Sequence, residues 1–392
     1  MRRLWWLLTG AMLAQKIWKH WLVWRFFRRP IPRATREPER VSLLQPILSG
    51  DPTLAECLRA NLAVRSRYSL EFIWLVDADD SAAQAICGAL AAQYTQHPAR
   101  IVTLPPPGQR DNPKMIKLIA GLAQSRGDVI CVLDDDTRLP DWGLEQCLPY
   151  LDQPGVGVAF GLPYYRSFDT IWSSLVSLFV NDQSLLNYIP YTALTEPFTL
   201  NGMFYAARRD VLDRVGGFAG LEGILADDFA VASRFRAHGY RLAQTPLCHA
   251  ISTTVRGPRQ YLSLIRRWFI FPRESLLRHL NAYDRAVLYI MGVLPALFPL
   301  LLLVALKLKP SARLWAYVAI YFGHSALAFR QIDAAYLRRA TPARYRWLAP
   351  LVELLFPFQL IAALLARQRI VWRGHIMQVE RGGGFHFIRR RE

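Results

Sequence analysis

The run Val129-Ile130-Cys131-Val132-Leu133 passes directly into Asp134-Asp135-Asp136, and this junction constrains the chain more than any other segment. Five apolar residues bounded by polar ones read as a buried strand, which puts three carboxylates at one edge of a sheet. Charges that close repel one another unless a cation or a ring of donors holds them. Alternation along an extended chain aims Asp134 and Asp136 the same way and Asp135 the other. Hard oxygen ligands in that arrangement suit Mg²⁺ or Mn²⁺, a cation that usually completes its shell with substrate phosphates. The pattern points to a nucleotide-diphosphate site, against the plainer alternative of a solvated acidic turn where a strand ends.

The segments around this junction alternate between strand and helix. Val41 to Leu48 reads as a strand, and Asp51-Pro52 opens a helix with Leu54, Leu58 and Leu62 on one face. Leu70 to Val76 is the next strand, ending in Asp77-Ala78-Asp79-Asp80, and Ser81 to Gln96 follows as a helix. Ile101 to Leu104 is a third strand before a Pro-Gly turn, Lys114 to Ser125 a helix, and Val129 to Leu133 the fourth strand. Such alternation predicts an α/β fold with a doubly wound parallel sheet, in which ligands sit at the carboxyl ends of the strands. Both acidic clusters land there, so Asp77 and Asp134 are predicted to face one crevice.

Composition places part of the chain in lipid. Of 392 residues 52% are hydrophobic and the mean hydropathy is +0.12, high for a soluble enzyme. The formal net charge of +18 would suit a nucleic-acid binder, but its arginines gather beside the hydrophobic segments: Arg25 to Arg40, Arg338 to Arg346, and Arg389 to Arg391. That layout fits a cytoplasmic face against anionic lipid and argues against nucleic acid. Ala286 to Leu306 is uninterrupted by charge and long enough to span. Leu314 to Phe329 and Trp347 to Ala366 are further membrane helices, the second broken or re-entrant because it holds Glu353, Pro350 and Pro357. Leu4 to Ala14 and Trp21 to Phe27 form an uncleaved anchor lying partly in the interface. The five cysteines, Cys57, Cys87, Cys131, Cys147 and Cys248, have no paired spacing and read as reduced core residues.

In the second half of the soluble part, Ile171 to Ile189 is amphipathic and fits a core helix as well as an interfacial one. Thr199 to Ala206 reads as a strand, Val211 to Phe218 as a short helix with a glycine turn, and Asp227 to His238 as a helix. Asp227-Asp228 in its first turn can complement the helix dipole or do chemistry. Arg259 to Phe271 is basic and aromatic around Arg266-Arg267-Trp268.

These pieces, taken in order, resemble a known family. Asn112-Pro113-Lys114, the aspartates after Leu133, Gly202-Met203, Arg209 to Asp213 before Gly216-Gly217, Ala226-Asp227-Asp228-Phe229 and Arg267-Trp268 appear in the order seen in ceramide glucosyltransferases. Those enzymes belong to the membrane-bound inverting glycosyltransferases with a GT-A fold. The similarity runs from Val41 to Phe271 and touches the tail at Val371 to Gly374. By that resemblance Asp77 holds the uracil or ribose of a UDP-sugar, Asp134 and Asp136 form the metal-binding D-x-D for Mg²⁺ or Mn²⁺, and Lys114 lies near the nucleotide. Asp228 falls where the family keeps its catalytic base, with Asp227 beside it. Arg267 is expected on the diphosphate and Trp268 on the acceptor side. The match departs at Leu264, where the (Q/R)-x-x-R-W pattern has Gln or Arg. Arg266 replaces that contact only if the helix turns both arginines to the pocket.

The expectation is a membrane-bound hexosyltransferase moving glucose from a UDP-sugar to a lipid hydroxyl such as ceramide, by one base and one Lewis acid. Rival readings change the acceptor to a hopanoid, diacylglycerol or polysaccharide, or make the chain a relic-fold membrane scaffold. A membrane anchor and basic segment would occupy residues 1–40, the GT-A domain 41–280, and membrane helices with a basic tail 281–392. Three full C-terminal spans from a cytoplasmic domain would put the arginine-rich tail outside, against the usual charge bias. Trp347 to Ala366 is therefore expected to be re-entrant or interfacial, with the chain end in the cytoplasm.

Overall fold

The structure is a computed structural model and describes residues 2–365, 368–372 and 374–390. Arg373 of the tail match, Ala366 at the end of the last apolar segment and Arg391 lie outside the described residues. Four strands, β1 (Val41–Ile47), β2 (Leu70–Asp77), β3 (Ala99–Leu104) and β4 (Val129–Leu133), are mutually parallel in the order β3-β2-β1-β4. Helices α2 (Leu54–Leu62), α3 (Ser81–Gln93) and α4 (Pro113–Gln124) connect them. Leu43, Phe72, Trp74, Val129 and Cys131 face one layer. Leu44, Ile73, Leu75, Ile130 and Val132 face the other. Strands buried on both faces read as largely apolar runs, which made β1, β2 and β4 visible, while the edge strand β3 is only partly buried. Each large side chain so buried contributes about 1.5–3 kcal/mol.

The sheet differs from an all-parallel one beyond β4. It continues as β7 (Phe204–Arg208), β6 (Val156–Tyr165), β8 (Arg241–Ile251) and β5 (Thr137–Arg138), eight strands in all. β7 runs antiparallel to β4 and β6, and β5 antiparallel to β8. The cause lies in the segment before β7. The Thr199 to Ala206 strand is a turn as far as Met203, because Asn201 Oδ1 accepts the Met203 amide at 3.1 Å and bends the chain. Met203 C=O then accepts the Asp134 amide at 3.0 Å. So β7 starts at the edge where β4 ends, and it must run back.

The short helix α5 (Leu144–Cys147) follows β5, and helix α6 (Ile171–Tyr191) packs on β6 and is buried on most sides, a core helix. Short α7 (Arg209–Arg214) ends at Gly216 and Gly217, whose φ of +85° and +59° suit glycine. Then come α8 (Asp227–Ala237) and α9 (Pro258–Phe271). The N-terminal segment is one helix, α1 (Arg2–Phe27), through the polar residues expected to interrupt it. Lys16 on this helix pairs with Glu353 and Ser325 inside the helical bundle. Two helices, Ala282–Leu308 and Ala343–Leu364, are long and apolar enough to cross a membrane. Helix Ala312–Ala335, which contains Leu314 to Phe329, falls outside that pair.

The tail held a finding that sequence reasoning did not reach. Beyond the last helix, β9 (Arg369–Trp372), β10 (His375–Val379) and β11 (Phe385–Arg389) form a separate antiparallel sheet. Met377, Val379, Phe385 and Phe387 share a small core with Leu225 before α8 and Ile270 at the end of α9.

Candidate active site

Side chains from four elements converge at the carboxyl edge of β1, β2 and β4. Asn112 caps α4 by accepting the Lys114 amide at 3.0 Å, with Pro113 in the first turn. The Lys114 ammonium then reaches Asp134 Oδ1 at 2.8 Å, Asp227 Oδ2 at 3.0 Å and the Gly202 carbonyl at 2.8 Å. One cation thus ties the end of β4, the start of α8 and the turn before β7. Burial disfavours its charge, but Asp134 and Asp227 hold the ammonium well above its ordinary range. Burial in turn pushes the Asp134 carboxyl up, with Lys114 opposing. Asp227 is paired to Lys114 off the hydrogen-bonding axis, since its Oδ2 has no aligned donor.

Asp228 stands next to this triad. Ala226, not an aspartate, is the cap residue of α8, and Asp228 Oδ1 accepts only the adjacent Phe229 amide among the bonds seen, at 2.7 Å. The enclosed position, with Asp227 beside it, pushes the Asp228 carboxyl up to about 7. A Cβ on Gly202 would lie 3.2 Å from Asp228 Cβ and 3.7 Å from Lys114 Nζ. Glycine at 202 is therefore a condition for this close approach. Asp77 sits apart from the triad, at the end of β2, with β1 between it and β4. Lys117 Nζ donates to its Oδ2 at 2.8 Å and to the Ile47 carbonyl at 2.8 Å.

The acidic turn after β4 divides its labour. Asp135 is buried and accepts the Leu48 amide at 2.9 Å, fixing the loop after β1. Asp136 is reached by the hydroxyls of Thr137 and Thr253 at 3.3 Å. No group of three or more His, Cys, Asp or Glu side chains among the described residues forms a ready cation cage. Two carboxylates, Asp134 and Asp136, do fit a cation that keeps several waters and takes phosphate oxygens. On α9, Arg267 is half-buried while Arg266 is exposed, so the helix does not turn both arginines inward. Leu264 packs instead in the apolar cluster with Tyr165 and Val176. Trp268 stacks on Phe179 at 6.0 Å between ring centroids and meets Tyr165 edge-on at 6.1 Å.

The structure therefore joins Lys114, Asp134, Asp227 and Asp228 and leaves Asp77 with a partner not foreseen. Lys117 was findable, because it lies three residues after Lys114 and so on the same face of α4. The closeness of Gly202 depends on a turn that sequence reading took for strand.

A mixed sheet with carboxylates at the ends of its parallel strands and a separate acidic helix start defines a GT-A-type fold. Among solved structures, the mannosyltransferase PcManGT from Pyrobaculum calidifontis, in complex with GDP-Man and Mn²⁺, is 18% identical, with a TM-score of 0.51 over 91% of this chain and 96% of that one. This likeness concerns the fold. Residues 4–385 match the model of Glycosyl transferase family 21, and the chain belongs to that family. It is a glycosyltransferase, in agreement with the resemblance drawn from its motifs.

Proposed function

We propose that the protein transfers a hexose, glucose by the family resemblance, from a UDP-sugar to the hydroxyl of a membrane lipid such as ceramide, with inversion. The observation that carries this reading is Asp228: an enclosed carboxyl raised to about 7, beside but not bonded to the Lys114 pair. A base of that strength is matched to taking a hydroxyl proton near neutral pH. Asp134 and Asp136 would hold the divalent cation, which when bound supplies charge neutralisation to the departing diphosphate. Lys114 fixes Asp134 and Asp227 in place. Asp77 presents its carboxylate from the end of β2 for the donor's uracil or ribose, with Lys117 orienting it. Arg267 serves the diphosphate, and Trp268 with Phe179 and Tyr165 forms the apolar acceptor side.

The lipid acceptor draws support from the bundle beside this site. Helix Ala282–Leu308 leaves the catalytic domain along α1, with Lys19 on the Met291 carbonyl and Met12 in the cluster of Phe298 and Leu302. Helix Ala312–Ala335 returns, Tyr317 on the Thr9 carbonyl and His324 at 2.9 Å from His20. These three form the proposed membrane bundle, and helix Ala343–Leu364 lies alongside it, where Glu353 meets Lys16. Helix Ala343–Leu364 stays against the catalytic domain, since Tyr345 stacks on Phe168 at one end and the Leu364 carbonyl accepts Arg273 at the other. Catalytic domain and tail lie together on the cytoplasmic face.

Nucleoside diphosphate release on adding vesicles of each candidate lipid with UDP- and GDP-sugars tests the reading. UDP release dependent on ceramide supports it, whereas release only with another lipid or a GDP-sugar replaces the acceptor or donor. Asp228→Asn is expected to lower turnover by roughly 10² to 10⁴ while leaving donor affinity intact. Near-wild-type rates would sink Asp228 as base and make Asp227 the next candidate.

A further inference from the structure

The three-stranded tail sheet touches the segments that carry Lys114, Asp227-Asp228 and Arg267. The Leu225 amide donates to the Gly383 carbonyl at 3.0 Å, and Ile224 bridges Gly384, two to four residues before Asp227-Asp228. The Phe387 amide donates to the Gln109 carbonyl at 3.1 Å, in the loop that leads to Lys114. β9 packs on α9, the helix of Arg267 and Trp268, and Ile270 enters the sheet's core. Between the first two segments stands Asn112. Its amide donates to the Glu222 carbonyl at 2.6 Å and its Nδ2 to the Ile224 carbonyl at 2.9 Å, while its Oδ1 caps α4. The loops before Lys114 and before Asp228 are thus stitched to one another and both to the tail.

Resting on the function proposed above, we propose that β9–β11 is a positioning clamp that sets the spacing of α4, α8 and α9 and so aligns the base with the donor. The physical warrant is geometric. Loops open locally at little cost where few apolar contacts hold them, and the loop before α8, held on the main sheet by Leu221 and Ile224, has its last apolar side chain before the helix cap, Leu225, in the tail core. A displacement of about 1 Å in a catalytic group can cost 10²-fold in rate. Nothing in the tail needs to touch a reacting atom for it to matter. Phe385, Phe387, Gly383 and Asn112 are positioning residues.

Phe385→Ala in the full chain tests this, with Phe385→Leu as the conservative partner. Phe385 is buried against the shared core, far in sequence from the site. Under the clamp, Phe385→Ala speeds hydrogen exchange at the Leu225 amide and lowers kcat by about tenfold or more, with KM for the donor little changed; Phe385→Leu restores both. Should Phe385→Ala fail to fold, Gly383→Ala asks the same question. At φ +94° an added Cβ strains the backbone and shifts the carbonyl that Leu225 uses. Faster exchange at Leu225 with unchanged kcat overturns the proposal, as does a fall in activity that only tracks the folded fraction. A wild-type chain without transfer to any lipid counts against the proposed function alone. The clamp is then judged by exchange: the amides of Lys114 and Asp227 must loosen together with Leu225, and independent loosening overturns it.

Discussion

Lys114 and Lys117 stand one turn apart on α4 and hold different aspartates, so a single helix face fixes both the proposed donor end and the proposed base end of the site. Lys117 is buried with Asp77 and bonds to it and to the Ile47 carbonyl. Removing one partner of such a pair leaves the other as an uncompensated charge. Lys117→Met is expected to destabilise the protein by about 3–5 kcal/mol and to weaken donor binding, read from denaturation and nucleotide titration. A near-wild-type midpoint would show that Asp77 is solvated or protonated instead. The pH profile reports on Asp228. Only its carboxylate can accept a proton, so turnover should be low in acid and climb as pH rises through about 7. Burial raises this group first and the charge of Asp227 second. Asp227→Asn removes the second cause, which lowers the Asp228 value and moves the limb to lower pH. A limb that stays in place would mean the profile belongs to another group.

At the scale of elements, the strand ends supply the carboxylates and the turns decide which of them face the site. Asp134 and Asp136 are the pair that fits a cation, while Asp135 is spent on the Leu48 amide. If the cation neutralises the diphosphate, EDTA should abolish transfer and Mn²⁺ or Mg²⁺ restore it. Asp136→Asn should weaken donor binding, because phosphate charge then meets fewer compensating ligands. Full activity in EDTA would make the acidic turn structural. The parallel strands and both acidic clusters were legible because doubly buried strands are continuous apolar runs and aspartates follow them directly. β6 and β8 were not. Gly157, Gly161 and Pro163 in one, and Gln244 and Pro246 in the other, carry the residues that normally argue against a central strand. The antiparallel turn of β7 depends on Asn201 bonding its own backbone, a local choice that apolar patterning does not encode. The tail strands were hidden by their arginines and glycines, and their core forms only with Leu225 and Ile270 from distant parts of the chain.

At the scale of the molecule, the tail sheet decides a question that charge counting left in conflict. Its core is shared with Leu225 and Ile270, so the tail lies on the side of the catalytic domain. The chain between α9 and β9 must then cross the membrane an even number of times. On the proposed membrane reading, three full spans conflict with this contact. The proposed out-and-back pair, Ala282–Leu308 and Ala312–Ala335 along α1, meets the condition. It also accounts for polar groups there: Lys16 faces Ser325 and His20 faces His324 within it, and Glu353 reaches Lys16 from helix Ala343–Leu364 alongside. Charged groups at membrane depth persist where they are paired away from lipid. Length and apolarity alone would choose Ala343–Leu364 as the second span in place of Ala312–Ala335, and that choice is also even. The contacts of Tyr345 and Leu364 with the catalytic domain favour the first arrangement. A tag after Glu392 is therefore expected to be accessible from the same face as an epitope in the catalytic domain, and the arginines after α1 and at the tail make the cytoplasm the face proposed for both. A label placed between Lys309 and Ser311 should be reached only from the opposite side. Tail and catalytic epitopes exposed on different faces would overturn the arrangement and the clamp with it, since no sheet can pack across a bilayer.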